Sequence, residues 1–172
     1  GCMVTCFMTP DTKGEYTYPP ELKAEVEAVS KGYMLDVDEF RSDNKESILK
    51  DIYAMTEKRF RLTRHFIRSK EWDFFMMVEM GPDRIHHAFW KHFDHDHPKY
   101  VPGSKYQNAI LNYYKYLDEE IGETFKLLND DTMTLIVSDH GAKKMVGGIC
   151  INEWLIQNGY LKLVHYPAES TP

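Results

Sequence analysis

Long apolar runs, paired cysteines and an excess of basic residues are all missing from this sequence. No apolar run approaches the ~20 residues that a helix needs to cross a bilayer, so we predict no membrane span. The start, GCMVTCFMTP, lacks the basic region and long apolar stretch of a signal peptide. The 3 cysteines form neither an even disulfide set nor a zinc-finger spacing, which favours a reducing, cytoplasmic location.

The charge balance argues against a nucleic-acid polymer as the partner. The formal net charge is −6, whereas binding to phosphates needs clustered lysine and arginine. One basic cluster, KRFRLTRHFIRSK at 58–70, falls within a predicted helix, and we interpret it as the solvated face of that helix. Internal repeats and low-complexity tracts are also lacking.

The sequence that remains has the size and the pattern of one α/β domain. Its 172 residues are enough to bury a real core. Residues 1–43 are rich in proline and irregular, which predicts loops and one short helix, and residues 44–172 carry the regular pattern of an α/β core. Because the chain does not begin with Met, we expect it to be a piece of a longer protein.

Apolar periodicity predicts helices over 44–69 and 104–130 and a short helix at 151–159. Asp43 with Glu46, and Ser104 with Gln107, resemble capping boxes. Nearly continuous apolar runs at 72–80, 132–137 and 160–164 are typical of buried strands. Helices alternating with such strands predict a mainly parallel sheet covered by helices.

Acidic residues and histidines follow two of these predicted strands. Asp83 and His87 come after the first strand and lie four apart, on one face of a helix that would begin there. His86 lies near the same face, so the choice between the two histidines stays open. Asp139 and His140 follow the second strand in the sequence SDHG. Parallel strands present their carboxyl ends at one edge of the sheet, where ligands bind. A set of carboxylate and imidazole ligands suits Zn²⁺ or Mn²⁺ better than Ca²⁺.

Three further histidines lie in the sequence HFDHDHPKY, a turn or more beyond Asp83. They are His92, His95 and His97. We interpret them as groups around the site or on its substrate side, and their role stays open.

Several motifs resemble the alkaline phosphatase superfamily, in particular its type I phosphodiesterase/nucleotide pyrophosphatase branch. They are DRIHHAFWKHFD with HPKY, VSDHGAKK and INEWLIQNGYLKL, with CFMTPDTKGEYTYPPEL as a further match. The resemblance implies part of a three-layer sandwich with a mainly parallel central sheet. It also implies two divalent metal ions, usually zinc with manganese as the alternative, which act on small phosphate esters. Asp83 and His87 would bind one ion, and Asp139 and His140 the other.

The resemblance also implies that this chain is incomplete as a catalyst. The family's threonine or serine nucleophile and its remaining ligands match no residue here, so we expect the isolated chain to be inactive. Phosphomutase or sulfatase chemistry stays open, as does a non-catalytic metal-binding or interaction module. Sheet surfaces that lack their neighbours would also allow self-association.

Overall fold

A long helix with shorter helices around it organises the part of the chain that the computed structural model describes, residues 1–38 and 42–165. The elements in chain order are β1 (Met3–Val4), β2 (Thr17–Tyr18), α1 (Leu22–Ser30), α2 (Lys45–Ser69), α3 (Gly81–Phe93), α4 (Ala109–Phe125) and α5 (Ile151–Gln157). The two short strands pair antiparallel, with Met3 opposite Tyr18 and Val4 opposite Thr17. No helix among these residues is long and apolar enough to cross a membrane.

Helix α2 confirms the predicted helix at 44–69, although its cap differs. The side chain of Asn44 accepts a hydrogen bond from the backbone N–H of Ser47 at 3.2 Å, so Asn44 is the N-cap instead of Asp43. The predicted apolar stripe is buried, including Ile48, Ile52 and Met55.

Helix α2 lies at the centre because it contacts α1, α3 and α4. One hydrophobic cluster joins α2 to α3 and α4, and its fully buried members include Ile52, Phe89 and Tyr113. A second cluster joins the other end of α2 to α1 and the hairpin region, through Leu62 and Val26 among others. The strand β2 region and α1 therefore pack on this end of α2.

One arginine of the basic cluster is buried, so the solvated-face interpretation of 58–70 is wrong for Arg59. Its guanidinium donates to the backbone carbonyls of Val78 at 3.0 Å, Met34 at 3.3 Å and Leu35 at 3.4 Å. Burying a cation is tolerated when carbonyl dipoles replace water. The first of these bonds attaches the extended segment 72–80 to the middle of α2, and the other two attach residues 34 and 35.

Helix α4 begins later and ends earlier than the predicted 104–130. The Ser104 hydroxyl bonds the Nδ1 atom of His92 at 2.8 Å and accepts from the backbone N–H of Tyr106, so it caps a turn ahead of the helix. The predicted stripe is otherwise confirmed, since Tyr113, Leu117 and Thr124 are buried.

The predicted parallel sheet is not seen in the described residues. Segments 72–80, 132–137 and 160–164 lie outside the strands, and within 1–38 and 42–165 the sheet consists of the β1–β2 pair. The side chains of 132–137 are mostly exposed, with Val137 at 87%. A parallel strand needs hydrogen-bonding neighbours and cover on both faces, and no such neighbour pairs with these segments here.

The segment 72–80 nevertheless alternates between covered and open side chains. Phe74, Met76 and Val78 are exposed, while Phe75 and Met77 pack partly against the helical core. This period of two is that of a strand with one face covered. The segment leads directly into α3, where the first pair of candidate ligands lies.

Candidate metal centre

Asp83 and His87 lie on one face of α3, as their spacing predicted. Pro82 stands at the start of this helix, where its missing N–H removes no helical bond, and Asp83 follows in the first turn. The Oδ1 atom of Asp83 lies 3.4 Å from the Nε2 atom of His87. Two tetrahedral zinc ligands at their usual bond lengths are about 3.3–3.4 Å apart. The pair therefore fits half of a zinc coordination shell.

The buried Arg84 orients Asp83 by binding the carboxylate oxygen that does not face His87. Arg84 donates from its Nη1 atom to the Oδ2 atom of Asp83, and from Nε and Nη2 to both carboxylate oxygens of Asp36. The hydrogen bond to Asp36 is the main reason that the pKa of Arg84 is raised. Asp83 thus keeps Oδ1 directed towards His87 while Oδ2 is held, an arrangement typical of groups that support metal ligands.

Asp139 and His140 form a second pair on an exposed loop. The Oδ2 atom of Asp139 lies 3.6 Å from the Nε2 atom of His140. The Nδ1 atom of His140 lies 2.9 Å from the carbonyl oxygen of Gly141. Because a carbonyl can only accept, Nδ1 carries the proton. In neutral imidazole the lone pair is then on Nε2, the tautomer in which many histidines bind zinc.

The second pair lies within the electrostatic reach of the first. The pKa of His140 is raised by its hydrogen bond to Gly141, then by the charge of Asp139, and also by that of Asp83. A few residues on, the ammonium group of Lys144 donates to the carbonyl oxygen of Asp96 at 2.9 Å. This bond places Lys144 beside the loop that follows α3.

The two pairs do not converge into one ligand shell. Within the described residues, no group of three or more histidine, cysteine, aspartate or glutamate side chains is placed to hold a metal ion. The donor types and the spacing inside each pair fit zinc, but each pair supplies only two ligands. Structural and catalytic zinc sites have three or four protein ligands.

The neighbouring histidines have different environments. His86 stacks on Tyr114, with ring centroids 5.7 Å apart, and meets Trp90 edge-on. The ring of His95 packs on Tyr100, and the Nδ1 atom of His97 accepts from the backbone N–H of Lys99. These contacts place His95 and His97 in the loop after α3, away from the first turn that carries Asp83.

His92 is a core residue, buried between α3 and the turn at Ser104. Its Nε2 atom is buried and has no hydrogen-bond partner in the part of the chain that the structure describes. Burial, followed by the charges of Lys91 and Lys45, lowers its pKa. Its contacts are those of a neutral histidine that packs against Phe89 and Tyr106.

Sequence reasoning missed Glu79, which lies in the turn before α3. Its Oε1 atom accepts from the backbone N–H of Gly81 at 2.8 Å and lies within hydrogen-bond distance of the hydroxyls of Thr56 and Tyr113. Burial raises the pKa of this carboxyl group. One signal was available, since Glu79 is the only charged residue in the run FFMMVEM.

Comparison with known proteins gives one match. The family model "Type I phosphodiesterase / nucleotide pyrophosphatase" matches residues 1–169, and this confirms the resemblance seen in the motifs. No curated protein and no solved structure matches the chain.

Proposed function

Because the chain belongs to the type I phosphodiesterase/nucleotide pyrophosphatase family, we propose that it is part of a metal-dependent hydrolase of small phosphate esters. The family consists of hydrolases that act on phosphate esters. We also propose a cytoplasmic location, which the free thiols of Cys2, Cys6 and Cys150 support.

Asp83 and His87 are the proposed ligands of one divalent ion, and Asp139 and His140 those of a second. The observation that carries this proposal is the donor spacing, 3.4 Å in the first pair and 3.6 Å in the second, close to that of two ligands on one zinc ion. Zinc is the proposed ion, with manganese as the alternative.

The proposed fold is a three-layer sandwich in which 72–80 and 132–137 are neighbouring parallel strands. The alternation of 72–80 supports this, as does the exposure of apolar side chains in 132–137. The hydrogen bond from Lys144 to the carbonyl oxygen of Asp96 also supports it, since this bond joins the chain after 132–137 to the loop after α3. Pairing of the two strands would bring the ligand pairs together at one edge. We also propose that the chain divides into an irregular region, 1–43, and an α/β core, 44–172.

The chemistry follows from the charges at that edge. A pair of divalent ions held by these residues would supply Lewis acidity towards a phosphoryl group. In this chain Asp83 and Asp139 supply negative charge to hold cations, and Arg84 keeps Asp83 oriented. Lys143 and Lys144 follow the second pair, where cationic side chains would attract an anionic ester.

The isolated chain is proposed to be inactive towards phosphate esters. Each pair lacks a third donor within the described residues. By the family resemblance, no serine or threonine of this sequence matches the nucleophile. We place the nucleophile and the remaining ligands on segments outside this chain. The self-association proposed for the chain is supported by the exposed apolar side chains of 132–137.

Titration with Zn²⁺ or Mn²⁺, followed by calorimetry, tests the proposal. We expect Asp83→Ala and Asp139→Ala each to weaken binding by about tenfold or more, because each removes a charged ligand. His95→Ala and His97→Ala serve as controls, since both rings are engaged elsewhere in the loop. A dependence on His95 or His97 with no effect at Asp139 would favour the non-catalytic metal-binding module instead.

A further inference from the structure

Glu79 connects the start of α3 to the two helices beside it. Its Oε1 atom lies 3.0 Å from the Thr56 hydroxyl on α2, 3.3 Å from the Tyr113 hydroxyl on α4, and 2.8 Å from the backbone nitrogen of Gly81. The two hydroxyl oxygens are themselves 2.9 Å apart. One buried oxygen thus links three helices four residues before Asp83.

The number of available protons limits how many hydrogen bonds the Oε1 atom of Glu79 can accept. Each hydroxyl carries one proton, and Thr56 can also donate to the carbonyl oxygen of Ile52, so Oε1 receives at most two hydroxyl bonds besides that of Gly81. The other carboxyl oxygen, Oε2, is buried and makes no hydrogen bond with the described residues. The hydrogen bonds that Glu79 accepts are therefore concentrated on Oε1, the oxygen that faces the start of α3.

Gly81 shows independently that this junction is closely packed. A Cβ atom at this position would lie 1.7 Å from the Tyr113 hydroxyl oxygen and 2.8 Å from the Oε1 atom of Glu79. Any larger residue would displace the two groups that hold the turn. The backbone of α3 can therefore approach α4 this closely only because the helix begins with glycine.

We propose that Glu79 is a positioning residue: together with Thr56 and Tyr113 it fixes the turn from which α3 presents Asp83 and His87. This inference rests on the proposed function, since it assigns those two side chains to a metal ion. The geometric reason is that 72–80 has no strand partner among the described residues. The start of α3 is therefore held by this network, by the Arg59 bond to Val78 and by the Arg84 bonds to Asp36.

A set of matched variants tests the role of the acceptor. Glu79→Met removes the acceptor at nearly constant length, whereas Glu79→Gln retains an oxygen that can replace Oε1. We expect Glu79→Met to weaken Zn²⁺ or Mn²⁺ binding by about tenfold, within the range for groups that orient ligands, and Glu79→Gln to restore it. Thr56→Val and Thr56→Ser form a second pair with the same expected order. The exposed Glu119→Gln is the control.

Amide hydrogen exchange provides a measurement that needs no metal. We expect Glu79→Met to accelerate exchange of residues 81–87 by about tenfold while residues 88–93 keep their rates, because local opening is confined to the released turn. Equal acceleration along the whole of α3 would indicate a general loss of stability and overturn the positioning role. Unchanged exchange at 81–87 would also overturn it.

The two measurements, metal binding and amide hydrogen exchange, separate failure of this inference from failure of the proposed function. If Asp83→Ala leaves metal binding unchanged, the proposed ligand set is wrong, and the exchange arm still decides whether Glu79 fixes the turn. If Asp83→Ala abolishes binding while Glu79→Met leaves both binding and exchange intact, only the role of Glu79 is refuted. Equal loss of binding in Glu79→Gln and Glu79→Met would assign the effect to charge instead of position.

Discussion

Replacing Gly81 by alanine sets two physical effects of opposite sign against each other. In an open helix, Gly→Ala stabilises by about 0.5–1 kcal/mol because glycine loses more backbone freedom on folding. At Gly81 the added Cβ would meet the Tyr113 hydroxyl oxygen at 1.7 Å and its Cζ atom at 2.5 Å. Both distances are far inside van der Waals contact, and the clashing group is an aromatic ring with no exposed surface.

The magnitude follows from what must move. Overpacking of a filled core costs about 1–3 kcal/mol. Displacing Tyr113 also separates its hydroxyl from Thr56 and Glu79, and an unsatisfied buried group costs about 1–3 kcal/mol. Together these terms give about 2–6 kcal/mol of destabilisation, which exceeds the gain in backbone entropy. We therefore expect Gly81→Ala to lower the free energy of unfolding by several kcal/mol, on the order of half the stability of a marginal domain.

Urea unfolding monitored by circular dichroism measures this difference, and α4 offers a matched control. Gly122 is also helical, and a Cβ there would meet no described atom within 4 Å outside the adjacent backbone of its own helix. Gly122→Ala should therefore raise the unfolding midpoint slightly, by about 0.5–1 kcal/mol in free energy. Stabilisation of both variants by similar amounts would refute the close approach of α3 and Tyr113.

Three further predictions concern the pH dependence of stability, the absence of turnover and self-association. Burial lowers the pKa of His92 below the ~6.5 of the unfolded chain, so the unfolded state binds the proton first. The free energy of unfolding should therefore fall as the pH drops below about 6.5. The urea midpoints at acidic and neutral pH should converge in His92→Gln but not in the exposed control His95→Gln. The isolated chain with Zn²⁺ or Mn²⁺ should not hydrolyse a chromogenic phosphodiester above background, and turnover that disappears in Asp139→Ala would contradict its proposed inactivity. Size-exclusion chromatography should show concentration-dependent association that weakens in Val137→Asp, whereas a monomer at all concentrations would argue against exposed strand surfaces.

Local pattern was sufficient for the helices but not for their ends. The stripe of Ile48, Ile52 and Met55 follows from the helical period, and it is buried as predicted. The cap at Asn44 was missed because Asp43, Asn44 and Glu46 are all acceptable near a helix start, and backbone geometry chose among them. Arg59 was misread because a cation at stripe spacing is usually solvated, and only the fold brings three carbonyl groups to it.

The predicted strands show a different limit. The apolar runs at 72–80 and 132–137 have strand composition, but a strand exists only when another backbone pairs with it. Among the described residues neither run has such a partner, and 72–80 keeps only the alternation of its side chains. Composition can therefore indicate a strand-forming segment without showing where its hydrogen bonds go.

The sequence by itself determined what depends on short spacing: the helical periods, the position of Asp83 and His87 on one helix face, and the adjacent donors Asp139 and His140. These relations hold because local backbone geometry sets distances between residues up to four apart. Only the tertiary structure decided that Glu79 joins Thr56 and Tyr113, and that the two hydroxyl groups meet each other. Such contacts join residues between 23 and 57 positions apart, and the paths of loops and the packing of helices determine which of them meet.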